Sequence, residues 1–133
     1  VILDSSAVVA ILRAEPEAPA MARAIDRAEA CAVSAVSYVE SAIVIDSARD
    51  PIASGRFDDF FRESGIVVES VTEWQAEIAR QAYRDFGKGR HRAGLNLGDC
   101  FAYALAKEKG EALLFKGDDF CHTDIKAAED SSR

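Results

Sequence analysis

Val1-Ile2-Leu3-Asp4-Ser5-Ser6-Ala7-Val8-Val9-Ala10 opens the chain and decides how the rest is read. A short apolar run suited to a buried strand is followed at once by an acid. Hydroxyl side chains that cap helices come next, then an aliphatic helical stretch over Ala7–Arg13. Strand, acid and helix in immediate succession describe the carboxyl end of a strand in an α/β protein.

The pattern repeats along the chain. Glu15-Pro16-Glu17 breaks the first helix and begins a second that reaches about Ala28. Cys31–Ala35 reads as strand two, and Ser37-Tyr38-Val39-Glu40 as a capping box leading into a helix through about Arg49. Ile52–Ser64 is an amphipathic helix with Phe57, Phe60 and Phe61 on one face, and Ile66–Val71 is strand three. Thr72-Glu73-Trp74-Gln75 is a second capping box, whose helix runs to about Phe86. Glycines and basic residues over Gly87–Gly94 form a loop, and the helix Asp99–Lys109 has Asn96 as its possible cap. Ala112–Lys116 is strand four, and the tail from Thr123 adds a short edge element before a frayed Ser131-Ser132-Arg133. Helical stretches long enough for crossovers separate the strands, which predicts one α/β domain over residues 1–133 with a parallel sheet.

In such a sheet the carboxyl ends of the strands share one edge, where ligands bind. Asp4, Glu40, Asp99 and the pair Asp118/Asp119 all fall toward that edge. Carboxylates brought together repel one another unless a cation joins them, and an all-oxygen set suits Mg²⁺ or Mn²⁺. Helix N-termini at the same edge are expected to favour the ionised carboxylates. Each acid also has a structural alternative: Asp4 as a cap, Glu40 and Asp99 as acids of capping boxes, Asp118 and Asp119 as a solvated turn.

The net charge of −7 argues against a generally nucleic-acid-binding surface, but the charge is uneven. Arg84–Lys116 sums to +3 and the remainder to −10. A basic strip on an acidic body can hold a phosphate backbone locally and attract a basic protein elsewhere. Three cysteines without CxxC spacing argue against a disulfide framework and a zinc site, which points to a reducing cytoplasm. No apolar run approaches the ~20 residues that span a bilayer, so no membrane is expected.

The run Ile2–Ala10 resembles the opening of PIN-domain proteins, in particular their VapC toxin branch. Ser34-Ala35-Val36-Ser37-Tyr38-Val39-Glu40 is similar to the second motif of that family, and Gly87–Ala106 to the third. Leu113-Leu114-Phe115-Lys116-Gly117-Asp118-Asp119-Phe120 is similar to the last. The resemblance implies a three-layer α/β/α fold with a central, mainly parallel sheet. It also implies a Mg²⁺- or Mn²⁺-dependent endoribonuclease, the toxin of a toxin–antitoxin pair. Asp4 and Asp99 would then hold the principal ion. Glu40 would complete the shell or position the attacking water, and Ser6 would orient Asp4. Many relatives place a fourth acid where Gly117 stands, so that role passes to Asp118, the nearer of the two neighbours. Lys88, Arg90 and Arg92 would grip RNA phosphates. The implied partners are a VapB-type antitoxin, RNA, and a second copy in a homodimer or in a heterotetramer or larger assembly with antitoxin. A PIN protein that processes or binds RNA without toxicity is the alternative. A phosphoacceptor receiver domain needs an acceptor Asp ending strand three, where Glu69 stands, and a phosphatase needs DxD where the chain has Asp4-Ser5-Ser6.

Overall fold

Residues 1–131 are described by a computed structural model. The chain runs β1 (Ile2–Leu3), α1 (Ser5–Leu12), α2 (Ala18–Arg27), β2 (Ala32–Ser34), α3 (Ala35–Asp46) and α4 (Pro51–Glu63). It continues with β3 (Val67–Glu69), α5 (Glu73–Phe86), α6 (Leu97–Lys109) and β4 (Leu113–Leu114). A 3-10 turn follows at Asp119–His122. The four strands form one parallel sheet in the order β3-β2-β1-β4.

Successive strand residues face opposite sides of the sheet, and the apolar runs supply a core to each. Ile2, Leu113 and Phe115 pack with Ala79 and Ala82 of α5 and Leu105 of α6. Leu3, Val33 and Leu114 pack on the other face with Val8, Met21, Ile45 and Phe57 of α1 to α4. Helices therefore cover both faces, giving three α/β/α layers. Each such aliphatic side chain, fully buried, contributes about 1.5–3 kcal/mol. Tyr38 and the three phenylalanines of α4 complete the α3–α4 side through ring contacts at 5.0–5.3 Å.

The order and type of the elements match the sequence reading, but β3 and β4 are shorter than Ile66–Val71 and Ala112–Lys116, and α6 begins at Leu97 and not Asp99. Thr72 caps α5 without a return bond from the Gln75 side chain, which donates to Glu108. Two further corrections concern the start of α3 and the tail. Strand two stops at Ser34, whose side chain accepts the Val36 N–H and caps α3. Ser37 is therefore no cap. It is buried inside the helix with its hydroxyl unpartnered, and Glu40 stands beyond the first turn, out of a capping box. The second correction concerns the tail. Ser131 is tied to β4, its hydroxyl donating to Leu113 O at 3.0 Å and accepting from Phe115 N–H at 3.2 Å. The rest of the expected frayed end, Ser132 and Arg133, lies outside the described residues. The expected edge element is a single parallel bridge between Ala127 and Leu113. Among the described residues no helix is long and apolar enough to cross a membrane.

Candidate active site

The register sets Leu3 beside Val33 and Leu114, and Ser34 beside Glu69, so the strands end on one edge. The strand order reverses between β1 and β4, the place where an open α/β sheet leaves a crevice for ligands. Asp4 follows β1 there. Its Oδ2 accepts the Ser6 N–H at 3.0 Å, capping α1, while Oδ1 is buried with no hydrogen-bond partner among the described residues. Asp99 enters from α6 in a reciprocal capping box: Asn96 Oδ1 accepts the Asp99 N–H at 2.9 Å, and Asp99 Oδ2 accepts the Asn96 N–H at 3.0 Å. Asp4 is thus a cap and Asp99 the acid of a capping box, as the structural alternative held, and both are also buried, at 3% and 8% exposure.

Burial decides their electrostatics. It raises the Asp4 carboxyl above its ordinary range, with the charge of Glu40 adding to the effect and hydrogen bonds from Ser6 opposing it. Asp99 is pushed up to about 7, first by burial and then by the charge of Asp4, with smaller pushes from Asp119 and Glu40 against the Asn96 hydrogen bond. In the ion-free protein burial thus opposes the field of the helix N-termini, which favours the ionised carboxylates. The charges of Asp4, Asp119 and Glu40 all bear on Asp99, and that of Glu40 bears on Asp4, so these acids lie within electrostatic reach of one another. At the last position the charge of Asp119, the first residue of the 3-10 turn, reaches Asp99.

Glu40 is held from two sides. Ser5 Oγ donates to its Oε1 at 2.7 Å. Gly98 provides the space for it, since a Cβ at that position would overlap the Glu40 carboxylate. Ser6 joins the two ends of the crevice: its N–H holds Asp4, and its hydroxyl accepts the Lys116 N–H at 3.0 Å just after β4. Among the described residues no three His, Cys, Asp or Glu side chains are placed to enclose an ion as they stand.

A PIN domain family model matches residues 1–126. The chain belongs to the PIN-domain family. It is 52% identical over 130 residues to the VapC ribonuclease Mb0625 of Mycobacterium bovis, covering 97% of this chain and 98% of that one. It is 45% identical over 124 residues to ribonuclease VapC30 of Mycobacterium tuberculosis, covering 93% and 95%. Among solved structures, the Mycobacterium tuberculosis VapC20 toxin superposes with a TM-score of 0.73 at 17% identity, covering 93% of this chain and 95% of that one. A toxin–antitoxin complex from Klebsiella pneumoniae superposes with a TM-score of 0.69 at 15% identity, covering 92% of each chain. These last two show the shared fold.

In this PIN domain the basic residues considered for RNA divide into engaged and free. Lys116 pairs with Glu15 and Glu17, each at 3.2 Å, and Lys107 with Asp124 at 2.7 Å. Lys88, Arg90 and Arg92 make no ion pair among the described residues. Their loop is nevertheless ordered by bonds from Arg90 N–H and His91 N–H to Gly87 O. His91 Nδ1 accepts the Ala93 N–H, a role inside the loop. Reading the sequence missed Ser5 as a partner of Glu40 and Gly98 as its berth, and it preferred Asp118 to its neighbour Asp119. A glycine inside the first turn of a helix is the one signal that pointed to a close approach.

A pH dependence follows for the ion-free protein. Asp99 titrates near 7 when folded and near 3.8 when unfolded, so the folded state holds the extra proton between those values. Stability from this group is present at the acid end, falls as pH rises through the window and levels off above about 7. Melting temperatures in EDTA, compared with those of Asp99→Asn, should show the wild type losing ground from pH 5 to 7.5. A constant difference across that range would remove the raised Asp99 from the account.

Proposed function

We propose that this PIN domain is a divalent-cation-dependent endoribonuclease and the toxin of a toxin–antitoxin pair. The observation that carries the reading is the pair of buried carboxylates at the switch point, Asp4 and Asp99, of which Asp4 keeps an unpartnered oxygen. A buried, unbonded carboxylate oxygen is costly in itself, and a hard cation is the partner that removes that cost. Two protein carboxylates fit Mg²⁺ or Mn²⁺, which commonly keep waters and substrate phosphate in the remaining positions. Bound there, the ion would offset phosphodiester charge and acidify a water.

The chain's own groups account for the rest. Glu40, fixed by Ser5 and Gly98, would orient the attacking water and accept its proton. As the water oxygen bonds to phosphorus, the bond from phosphorus to the leaving oxygen breaks. Asp119, whose charge reaches Asp99, is our choice for the fourth acid over Asp118. Lys88, Arg90 and Arg92 hold flanking phosphates, contributing position and not sequence reading. Protons compete with the cation for Asp4 and Asp99, so binding tightens as pH rises toward neutrality.

The names of the similar VapC ribonucleases and the Klebsiella complex support the toxin assignment and an antitoxin partner. The −10 balance outside Arg84–Lys116 suits a basic antitoxin segment laid on the acidic edge, in a homodimer, heterotetramer or larger assembly. Three free thiols suit a reducing cytoplasm. The reading is tested by inducing the chain briefly in cells and sequencing RNA ends. New ends in a restricted set of RNAs are expected with the wild type and none with Asp4→Asn. Equal ends in both would overturn it.

A further inference from the structure

A cleft of about 450 Å³ opens between α5 and the first turn of α6. Arg80 and Tyr83 of α5, Lys88 of the basic loop, and Asn96, Leu97 and Phe101 at the head of α6 line it. Folding leaves two large apolar surfaces here in water: Tyr83 is 44% exposed and Leu97 74%. The Tyr83 ring is nonetheless held. It lies against Gly87, where a Cβ would overlap it, and the Arg90 guanidinium stands 5.4 Å from its centroid. Asn96 is held as well. Its Oδ1 is committed to the Asp99 N–H, which leaves Nδ2 as a donor with no partner among the described residues.

We propose that this cleft receives an unpaired nucleobase of the RNA strand, next to the bond to be cut; the proposal rests on the nuclease reading above. A nucleobase has flat apolar faces and polar edges, and it is flanked by anionic phosphates. The cleft answers each property with aromatic and aliphatic walls, one oriented amide, and a rim of cations. Arg80, Lys88 and Arg90 make no ion pair among the described residues. The same charges argue against a basic peptide. They also argue against a second copy seated symmetrically, which would set the cations against their own counterparts. Asn96 is one hydrogen bond from Asp99, so the occupant sits beside the reacting phosphate. Stacking on an aromatic platform is the usual way single strands are held, and an edge contact turns it into a base preference.

The test uses 5′-labelled single-stranded RNA hexamers with one abasic position walked along the strand. Binding is read by fluorescence anisotropy on the full chain carrying Asp99→Asn, so that the RNA stays whole. One position is expected at which loss of the base weakens binding roughly tenfold. Adding Tyr83→Leu, which fills the space without an aromatic face, should weaken the intact hexamer by a similar factor and flatten the profile. Tyr83→Phe should keep both. Lys88→Ala should reduce the salt slope and keep the profile. A flat profile with tight binding and intact wild-type cleavage overturns the cleft proposal alone, as does a profile that survives Tyr83→Leu. A change of sedimentation mass with no change of profile in Tyr83→Leu overturns it in favour of a second copy. No binding and no cleavage by the wild type overturns the nuclease reading with it.

Discussion

Asp99→Asn is expected to lower RNA cleavage by roughly a thousandfold or more while raising the melting temperature of the ion-free protein at neutral pH. The two effects have one cause. An asparagine carbonyl can still accept the Asn96 N–H, so the reciprocal cap of α6 survives. What disappears is a negative charge that burial and the neighbouring Asp4 already disfavour, and that a hard cation requires. If Asp99 were only a cap, the outcome would reverse. Cleavage would stay near normal, and any weakening of the cap would lower stability by about 0.5–2 kcal/mol. Rate with Mn²⁺ and melting temperature in EDTA, measured on the same preparation, separate the two.

Gly98→Ala should produce the second largest effect, and through geometry alone. Gly98 sits in the first turn of α6, where its backbone is not left-handed, so alanine fits the helix and gains about 0.8–1.0 kcal/mol of propensity. The added Cβ, however, falls on the Glu40 carboxylate, which must leave its bond to Ser5. The end of a glutamate moves readily, so the fold should be unharmed and the thermal midpoint equal or higher. Cleavage should fall roughly a hundredfold, the cost of displacing a catalytic group by about 1 Å. Ser5→Ala, which removes one support and adds no bulk, should fall less. Unchanged cleavage by Gly98→Ala would mean that the position of Glu40 does not matter to the chemistry.

How much of this was legible in the sequence depends on whether each feature is local. The two-residue strands β1 and β4 are visible because each apolar run stops at a charged residue, Asp4 and Lys116, and the parallel sheet follows from the crossovers. The start of α3 is misread because Ser-x-x-Glu spacing occurs inside helices as well as at their ends. Only the end of β2 makes Ser34 the cap and leaves Ser37 in the interior. The choice between Asp118 and Asp119 depends on how a short 3-10 turn aims neighbouring side chains, which no periodicity encodes. The state of Asp4 is hidden for another reason. Its position after a strand and before a helix suggests a stabilised anion, but its burial comes from packing against distant elements and reverses the sign. Gly98 is the extreme case, since its function is to be absent where Glu40 arrives from α3.

The central claim is that a divalent cation held by Asp4 and Asp99 is indispensable for cutting RNA. The most direct measurement is cleavage of a labelled single-stranded RNA by the purified wild-type chain in excess EDTA, followed by restoration of Mn²⁺. Cleavage should stop in the chelator and return on metal addition. Undiminished cleavage in EDTA would contradict the account.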